Sequence, residues 1–144
     1  MILSDLQQQI REMARRFAQE RLAPGAARRD RERGFPRDEL QEMGTLGLLG
    51  MLVPEVYGGS DTGTLAYAAA VEEIAAADGA CSTIMSVHSS VGCVPILKFG
   101  TEAQKQDFLP RLACGAWIGG FALTEPQAGS DASNLRTHAR RIGN

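Results

Sequence analysis

The stretch SDLQQQIREMARRFAQERLAPG, residues 4–25, indicates that the chain opens with an amphipathic helix. Its apolar side chains recur at spacings of four, three and four residues, which places them on one helix face: Leu6, Ile10, Met13 and Phe17. Ser4 followed by Gln7 has the pattern of a capping box, which predicts the start of the helix. Pro24 and Gly25 disfavour helix, so we predict that the helix stops there.

The helical character continues over most of the chain up to residue 113. Periodicity, caps and helix-breaking residues predict four further segments: Arg37 to Met43, Thr64 to Ala77, about Cys81 to Cys93, and Thr101 to Leu112. Thr101 with Gln104 forms a second capping box. The second of these segments is rich in alanine, whose small side chain lets neighbouring helices approach closely. We therefore predict an up-and-down helical bundle.

The character of the sequence changes near Gly115. The segment from Trp117 to Leu123 is apolar, carries paired glycines and lacks helix caps, which predicts a strand entering a second structural unit. A lone strand is not stable, because sheets normally need three or more strands. We therefore expect an all-α bundle over residues 1–115, followed over residues 116–144 by the first strand of a truncated β domain.

The composition is that of a soluble globular chain. Of 144 residues, 44% are hydrophobic and 22% are charged, and the formal net charge is −2. Such a charge gives no global attraction to nucleic acid or to an anionic membrane. The sequence shows neither a secretory leader nor an apolar run long enough to span a bilayer. We therefore expect a cytoplasmic protein with no membrane span.

Several conspicuous residues are interpreted as structural. The cysteines are odd in number and widely spaced, which argues against a disulfide framework or a zinc site: Cys81, Cys93 and Cys114. A run of arginines broken by acidic residues is expected on a solvated helix face: Arg28, Arg29, Arg31 and Arg33. His88 has no second ligand at metal-binding spacing, so we interpret it as a core or surface histidine.

Two acidic residues and one tryptophan are treated in the same way. Glu72 and Glu73 resemble a carboxylate pair, but adjacent helical residues do not share a face, so both are expected at the surface. Trp117, near the predicted domain junction, is expected to serve packing. No residue is assigned as a metal ligand.

The stretch FALTEPQAGSDA, residues 121–132, carries the features that bear on chemistry. Pro126 fixes one backbone dihedral, and Gly129 allows close approach of the backbone to another group. Hydroxyls and free amides in such a loop can hold a polar ring edge or a phosphate. On the residues alone, the loop is either a cofactor contact or an ordinary β-turn.

Several segments, taken in order, resemble the acyl-CoA dehydrogenase family. The flavin-binding signature of that family resembles residues 121–132, and its Pro-Glu-x-Tyr-Gly-Gly loop resembles residues 54–59. Further matches are FP at residues 35–36 with MGTLGLLG at 43–50, STIMSVH at 82–88 and PILKFGT at 95–101; the last two have a short-chain, butyryl-type character. The resemblance implies that FAD is the cofactor and that a helical domain packs on a middle β domain.

The resemblance also implies roles for particular residues. Thr124 would bond the flavin ring through its hydroxyl, with backbone groups around Leu123 and Thr124 facing the pyrimidine side. Ser130 would contact the FAD pyrophosphate and lie near the acyl-CoA substrate. Glu125 would be structural, and Gln127 departs from the glycine of many members. The implied cofactor-binding set is Phe121, Ala122, Leu123, Thr124, Gly129 and Ser130.

The implied reaction is α,β-dehydrogenation of acyl-CoA thioesters in fatty-acid or branched-chain catabolism. The family base is a glutamate of the carboxy-terminal domain, so no catalytic residue is assigned and the isolated chain is expected to be inactive. The full-length enzyme is expected to pass electrons to an electron-transfer flavoprotein and to form a homotetramer or dimer. Two alternatives remain open: a non-catalytic helical interaction module, and a related acyl-CoA oxidase or flavin monooxygenase.

Overall fold

The computed structural model describes residues 2–143 and contains seven α-helices within that range. Their bounds are α1 Asp5–Phe17, α2 Ala23–Glu32, α3 Arg37–Thr45, α4 Gly63–Ala77, α5 Gly79–Val87, α6 Val94–Phe99 and α7 Glu102–Ala113. π-helical turns join α1 to α2 at Ala18–Leu22 and α5 to α6 at His88–Cys93, and 3-10 turns lie at Glu55–Tyr57 and Ala132–Asn134. The prediction of an all-α fold is confirmed.

Both predicted capping boxes form. The Ser4 hydroxyl accepts from the amide of Gln7, whose side chain accepts from the amide of Ser4 at 3.0 Å. Thr101 and Gln104 make the same reciprocal pair at the start of α7, with the return bond at 2.8 Å. Each box satisfies two backbone donors that a helix start otherwise leaves unpaired.

The predicted stop at Pro24 and Gly25 is wrong, because the helix continues to Glu32. The π-helical turn before it explains how a proline is accommodated. There the amide of Ala23 donates to the carbonyl of Ala18, five residues back, so this turn contains one residue more than an α-helical turn. Pro24 then lies in the first turn of α2, where its missing N–H is no loss.

The core lies between α1, α4 and α5. Small side chains of α4, Ala66 and Ala70, are fully buried, so that α1 can approach closely. Larger buried side chains fill the space around them: Phe17, Leu22, Leu40, Met43, Leu48, Leu49, Ile74 and Met85. A second buried cluster forms under α7: Val53, Cys93, Leu109, Leu112 and Ala113.

Glu73 is not a surface residue, which corrects the prediction made for it. It is 8% exposed and lies on the face of α4 that meets α1. Its carboxylate accepts from Arg11 Nε at 2.6 Å and from Arg15 Nη2 at 2.8 Å. Glu72, its neighbour, is exposed as expected. The two residues do lie on different faces, and burial of one of them is what the sequence argument missed.

Arg29 is likewise not on a solvated face. Its side chain is 11% exposed and donates to Glu39 at 2.6 Å and to Asp78 at 2.7 Å. A further bond reaches the carbonyl of Leu22 at 2.6 Å. The guanidinium therefore ties α2 to α3 and to the residue between α4 and α5. The other three arginines of the run are exposed, as predicted.

The strand predicted within residues 117–124 does not form in the described chain. The pairing found there is an isolated antiparallel bridge between Glu125 and Ala128. Residues 117–124 have no neighbouring strand to receive their amides and carbonyls, and a strand is defined by such pairing. The segment therefore leaves α7 as extended, irregular chain.

One stretch of the described residues has the length and composition that a membrane span requires. Gly79–Phe99 covers 21 residues with a mean hydropathy of 1.4, so the expectation that no apolar run is long enough is wrong on those two criteria. The stretch comprises α5, the π-helical turn and α6, and it supplies core residues such as Met85 and Cys93. A third of the window that meets these criteria is buried inside the bundle.

Candidate functional site

The loop that follows the helical bundle is held by its own hydrogen bonds. Glu125 and Ala128 exchange two backbone bonds of 3.0 Å, which close a tight turn over Pro126 and Gln127. Asn134 reaches back from the 3-10 turn to the carbonyl of Gln127 at 3.1 Å. Pro126 favours this turn because its ring fixes the backbone dihedral.

The carboxylate of Glu125 fixes the far end of the same loop. It accepts from the amides of Arg136 at 2.9 Å and Thr137 at 2.8 Å, and it also pairs with the side-chain amide of Gln127. Hydrogen bonds from Thr137 and then Arg136 lower the pKa of Glu125 to about 2. The carboxylate is therefore ionised at neutral pH and closes residues 125–137 into one unit. Its structural role agrees with the one expected from the sequence.

Four of the six predicted cofactor-binding residues, at positions 121–124, directly precede this unit, and Gly129 and Ser130 lie within it. Leu123 is half-buried, and the others are exposed: Phe121, Ala122, Thr124, Gly129 and Ser130. The structure does not gather them into a closed pocket. Their roles stay predictions.

The exposed face of the loop nevertheless fits a polar cofactor. Within residues 2–143, the hydroxyls and amides of Thr124 and Ser130 bond to no protein group. A side chain added at Gly129 would meet open space, so the backbone can be approached closely there. Free amides and hydroxyls on a self-locked loop are the groups that hold a flavin edge or a phosphate.

An apolar groove of about 390 Å³ lies beside the chain that leads into the loop. Its apolar lining includes Ile84 and Val87 of α5 and Ile118 of the segment that follows α7. The remaining lining residues are Phe35, Thr83, Gly119 and Gly120. Gly120, the last of these residues along the chain, directly precedes Phe121, the first residue of the predicted site.

His88 connects the helical bundle to this chain, a contact that the sequence did not suggest. Its ring is fully buried in the π-helical turn, and Nδ1 accepts from the amide of Gly119 at 3.0 Å. The Cα atoms of Gly92 and Gly119 approach so closely that a Cβ on Gly92 would lie 3.4 Å from Gly119 Cα. Trp117, two residues earlier, lies with its ring centre 4.6 Å from the Arg111 guanidinium carbon and is 42% exposed, so its packing role stays a prediction.

The protonation of His88 follows from these contacts. Burial lowers the pKa of His88, so the ring is neutral at pH 7. Because Nδ1 accepts, the proton is on Nε2, which faces Cys93 Sγ at 3.5 Å. A protonated Nε2 cannot deprotonate the thiol, and burial raises the pKa of Cys93 to about 11. The pair is therefore not a nucleophilic dyad, and His88 carries no base chemistry.

The chain matches the family model described as acyl-CoA dehydrogenase, N-terminal domain, over residues 4–116. It is 45% identical over 139 residues to an acyl-CoA dehydrogenase of Bacillus subtilis, and the aligned residues cover 96% of this chain and 37% of that protein. It is 45% identical over 141 residues to the mitochondrial short-chain specific acyl-CoA dehydrogenase of Mus musculus, covering 98% and 34%. The chain thus spans about a third of the length of these relatives.

A solved structure agrees with the sequence matches. The crystal structure of a glutaryl-CoA dehydrogenase from Mycobacterium smegmatis in complex with FADH2 superposes with a TM-score of 0.91 at 37% identity. The superposition covers 98% of this chain and 36% of that one. The match therefore extends through the self-locked loop and not only through the helices.

Proposed function

The chain belongs to the acyl-CoA dehydrogenase family, and from that premise we propose that it forms the helical domain and the first flavin-contacting loop of an FAD-dependent enzyme acting on acyl-CoA thioesters. The division into a helical domain over residues 1–115 and the start of a β domain over residues 116–144 belongs to this proposal. So do a cytoplasmic location and assembly into a homotetramer or dimer.

One observation carries the proposal: Glu125 locks residues 125–137 from within, and the amides and hydroxyls of Thr124, just before this unit, and of Ser130, within it, are exposed and unbonded. Such preorganised donors bind a polar ligand without the cost of ordering a flexible loop. FAD, when bound, supplies the redox chemistry. Thr124 donates to the flavin ring, and Ser130 contacts the pyrophosphate and the neighbouring acyl-CoA.

The apolar groove supports an acyl substrate. Its walls of Ile84, Val87 and Ile118 suit a hydrocarbon chain, because burial of each methylene is favourable by about 0.8 kcal/mol. Gly120, one of the lining residues, directly precedes Phe121, so a bound chain would lie next to the segment that begins the proposed flavin site. We propose short fatty or branched acyl thioesters as substrates and an electron-transfer flavoprotein as the electron acceptor.

The reaction also needs groups that the 144 residues are not proposed to supply. A general base must take the α-proton, and donors must stabilise the charge that develops on the thioester oxygen. We assign neither role within the chain, so the chain by itself binds and positions but does not catalyse.

A full-length hybrid tests the proposal: residues 1–144 replace the matching third of the Bacillus subtilis acyl-CoA dehydrogenase, and the unchanged relative is the positive control. Thr124→Ala and Ser130→Ala should each weaken FAD retention roughly 2- to 10-fold, the effect of one hydrogen bond. Gly129→Val should weaken it more, because a side chain blocks approach to the backbone. Flavin-to-protein ratio after gel filtration and the visible flavin spectrum are measured.

The matched control is Thr45→Ala, which removes a hydroxyl of α3 that bonds within its own helix. It should leave flavin content unchanged. Full flavin and an unaltered spectrum in both Thr124→Ala and Ser130→Ala would show that the family roles do not apply to these residues. A hybrid that folds but never holds flavin would favour the alternative of a non-catalytic helical interaction module.

A further inference from the structure

The π-helical turn between α5 and α6 brings a buried imidazole to the chain that enters the loop. π-helical turns insert one extra residue into a helix and are frequent at functional sites. Here the turn His88–Cys93 places the His88 ring against Gly119, 31 residues later in the sequence. Neither residue is needed for the packing of α1 on α4.

The contact leaves little freedom to the segment. Gly119 is held by the bond from its amide to His88 Nδ1 and by the approach of its Cα to Gly92. A Cβ added at Gly119 would lie 3.3 Å from Gly92 Cα and 3.6 Å from His88 Nδ1, so the space fits glycine closely. Gly120 has open space around it and lines the apolar groove.

We propose that His88 is a positioning residue for the flavin loop: its Nδ1 fixes Gly119 and thereby sets where Phe121 to Ser130 begin relative to the helical bundle. The proposal rests on the proposed function, because it takes that loop to contact FAD. His88 touches neither cofactor nor substrate. Its effect passes through the backbone from Gly119 to Thr124, five residues along an otherwise unpaired segment.

This role explains why a polar imidazole ring occupies a fully buried position, where the loss of its contacts with water costs free energy. A buried polar group needs partners: the amide of Gly119 donates to Nδ1, Cys93 Sγ lies 3.5 Å from Nε2, and the backbone of Leu112 also interacts with the ring and raises its pKa. Leucine would fill a similar volume and avoid the cost of desolvation, but it would leave the Gly119 amide unpaired. The amide bond is therefore the feature that distinguishes histidine from an apolar residue here.

Two variants separate the bond from the volume of the side chain. Asn carries its carbonyl oxygen near the position of Nδ1, so His88→Asn should keep the bond to Gly119. Gln carries it one atom further out, near the position of Nε2, so His88→Gln should lose the bond while remaining polar. His88→Leu removes the acceptor altogether. Glu73→Gln in α4 serves as a control that lowers stability without touching Gly119.

The first measurement uses the 144-residue chain and needs no flavin. Amide hydrogen exchange should show Gly119 protected in the parent and in His88→Asn, and exchanging at least tenfold faster in His88→Gln and His88→Leu. Nitrogen NMR of His88 should show the neutral ring with its proton on Nε2. Equal exchange of Gly119 in the parent and in His88→Leu, or a proton on Nδ1, overturns the proposal.

The second measurement uses the hybrid. The FAD dissociation constant should rise roughly 2- to 10-fold in His88→Gln, as expected for one lost hydrogen bond, and stay near the parent value in His88→Asn and Glu73→Gln. Loss of Gly119 protection without any change in FAD affinity would overturn the positioning role. A parent hybrid that binds no FAD would instead overturn the proposed function. The exchange data would still show whether the Gly119 amide bonds to His88 Nδ1.

Discussion

Glu73→Gln, which removes the negative charge of Glu73, should destabilise the helical bundle more than the same change at Glu72, the other acidic residue of α4. The carboxylate is 8% exposed and accepts three bonds, from Arg11 Nε at 2.6 Å, from Arg15 Nη2 at 2.8 Å and from Arg15 Nε at 3.0 Å. Glu73→Gln keeps the shape of the side chain but leaves both guanidiniums without a counter-charge between α1 and α4.

The size of the effect follows from the pKa of Glu73. Hydrogen bonds from Arg15, with those from Arg11, lower it from 4.5 to about 2. At 1.36 kcal/mol per pKa unit, the shift corresponds to about 3 kcal/mol of stabilisation of the ionised form. The arginine side chains are 35% and 44% exposed, and solvent screens them. We therefore expect Glu73→Gln to lower the free energy of unfolding by about 1–2 kcal/mol at neutral pH.

The same linkage predicts a pH dependence with a definite sign. The folded-state pKa of Glu73 is depressed, so its contribution is complete above the unfolded-state value near 4.5 and is lost as the pH falls toward about 2. Urea unfolding at pH 7 and pH 3 should show the gap between parent and Glu73→Gln shrinking at the lower pH. Glu72→Gln, an exposed residue of the same type on the same helix, is the control. A loss in Glu73→Gln no larger than in Glu72→Gln would refute this account of the α1–α4 contact.

Two further predictions concern the rest of the bundle and the isolated chain. Arg29→Gln should lower the free energy of unfolding by about 2–3 kcal/mol, because Glu39 and Asp78 lose a nearly buried partner. The control Arg28→Gln changes an exposed residue and should alter the free energy of unfolding by less than about 0.5 kcal/mol. Urea unfolding measures both variants, and equal losses would argue against a structural role for Arg29. The isolated 144-residue chain should not dehydrogenate butyryl-CoA with an artificial electron acceptor, because loss of a general base alone typically lowers the reaction rate on the order of 100- to 10,000-fold. Turnover by chain purified free of host dehydrogenases would show that the site is complete.

Local sequence features predicted much of the fold. Ser4 with Gln7 and Thr101 with Gln104 act through side-chain bonds three residues apart, so the sequence alone contains both partners of each capping box. The alanines of α4 follow the same logic, because a small side chain recurring on one face indicates close packing whichever helix is the partner.

The errors arose where a distant partner decides the outcome. Glu73 lies three and four residues after the buried Ala70 and Ala69, and this spacing places it on the core face. Arg11 and Arg15 are likewise four apart on α1, so two matching stripes could have suggested the ion pair. Only the rule that adjacent helical residues do not share a face was applied to the sequence, and both glutamates were expected at the surface, without regard to which of the two faces the core.

In the candidate site too, features that depend on neighbouring residues were predicted and contacts between distant residues were missed. The stretch of residues 121–132 was identified from its sequence, because its turn residues and hydroxyls are contiguous, whereas its closure by the bonds from Arg136 and Thr137 to Glu125 was not predicted. The bond from Gly119 to His88 spans 31 residues and depends on a π-helical turn, for which the sequence carries no local pattern that we recognised. The strand predicted over residues 117–124 failed for a related reason, since strands form only when a neighbour pairs with them.

Anaerobic titration of the flavin-bound hybrid with butyryl-CoA tests the central claim most directly, because reduction of the flavin by an acyl thioester requires the loop, the groove and the cofactor to act together. We predict that butyryl-CoA bleaches the visible flavin band of the hybrid, and dithionite defines the level of full reduction. A hybrid whose flavin is bleached by dithionite but by no acyl-CoA would contradict the proposal that these 144 residues form part of an acyl-CoA dehydrogenase site.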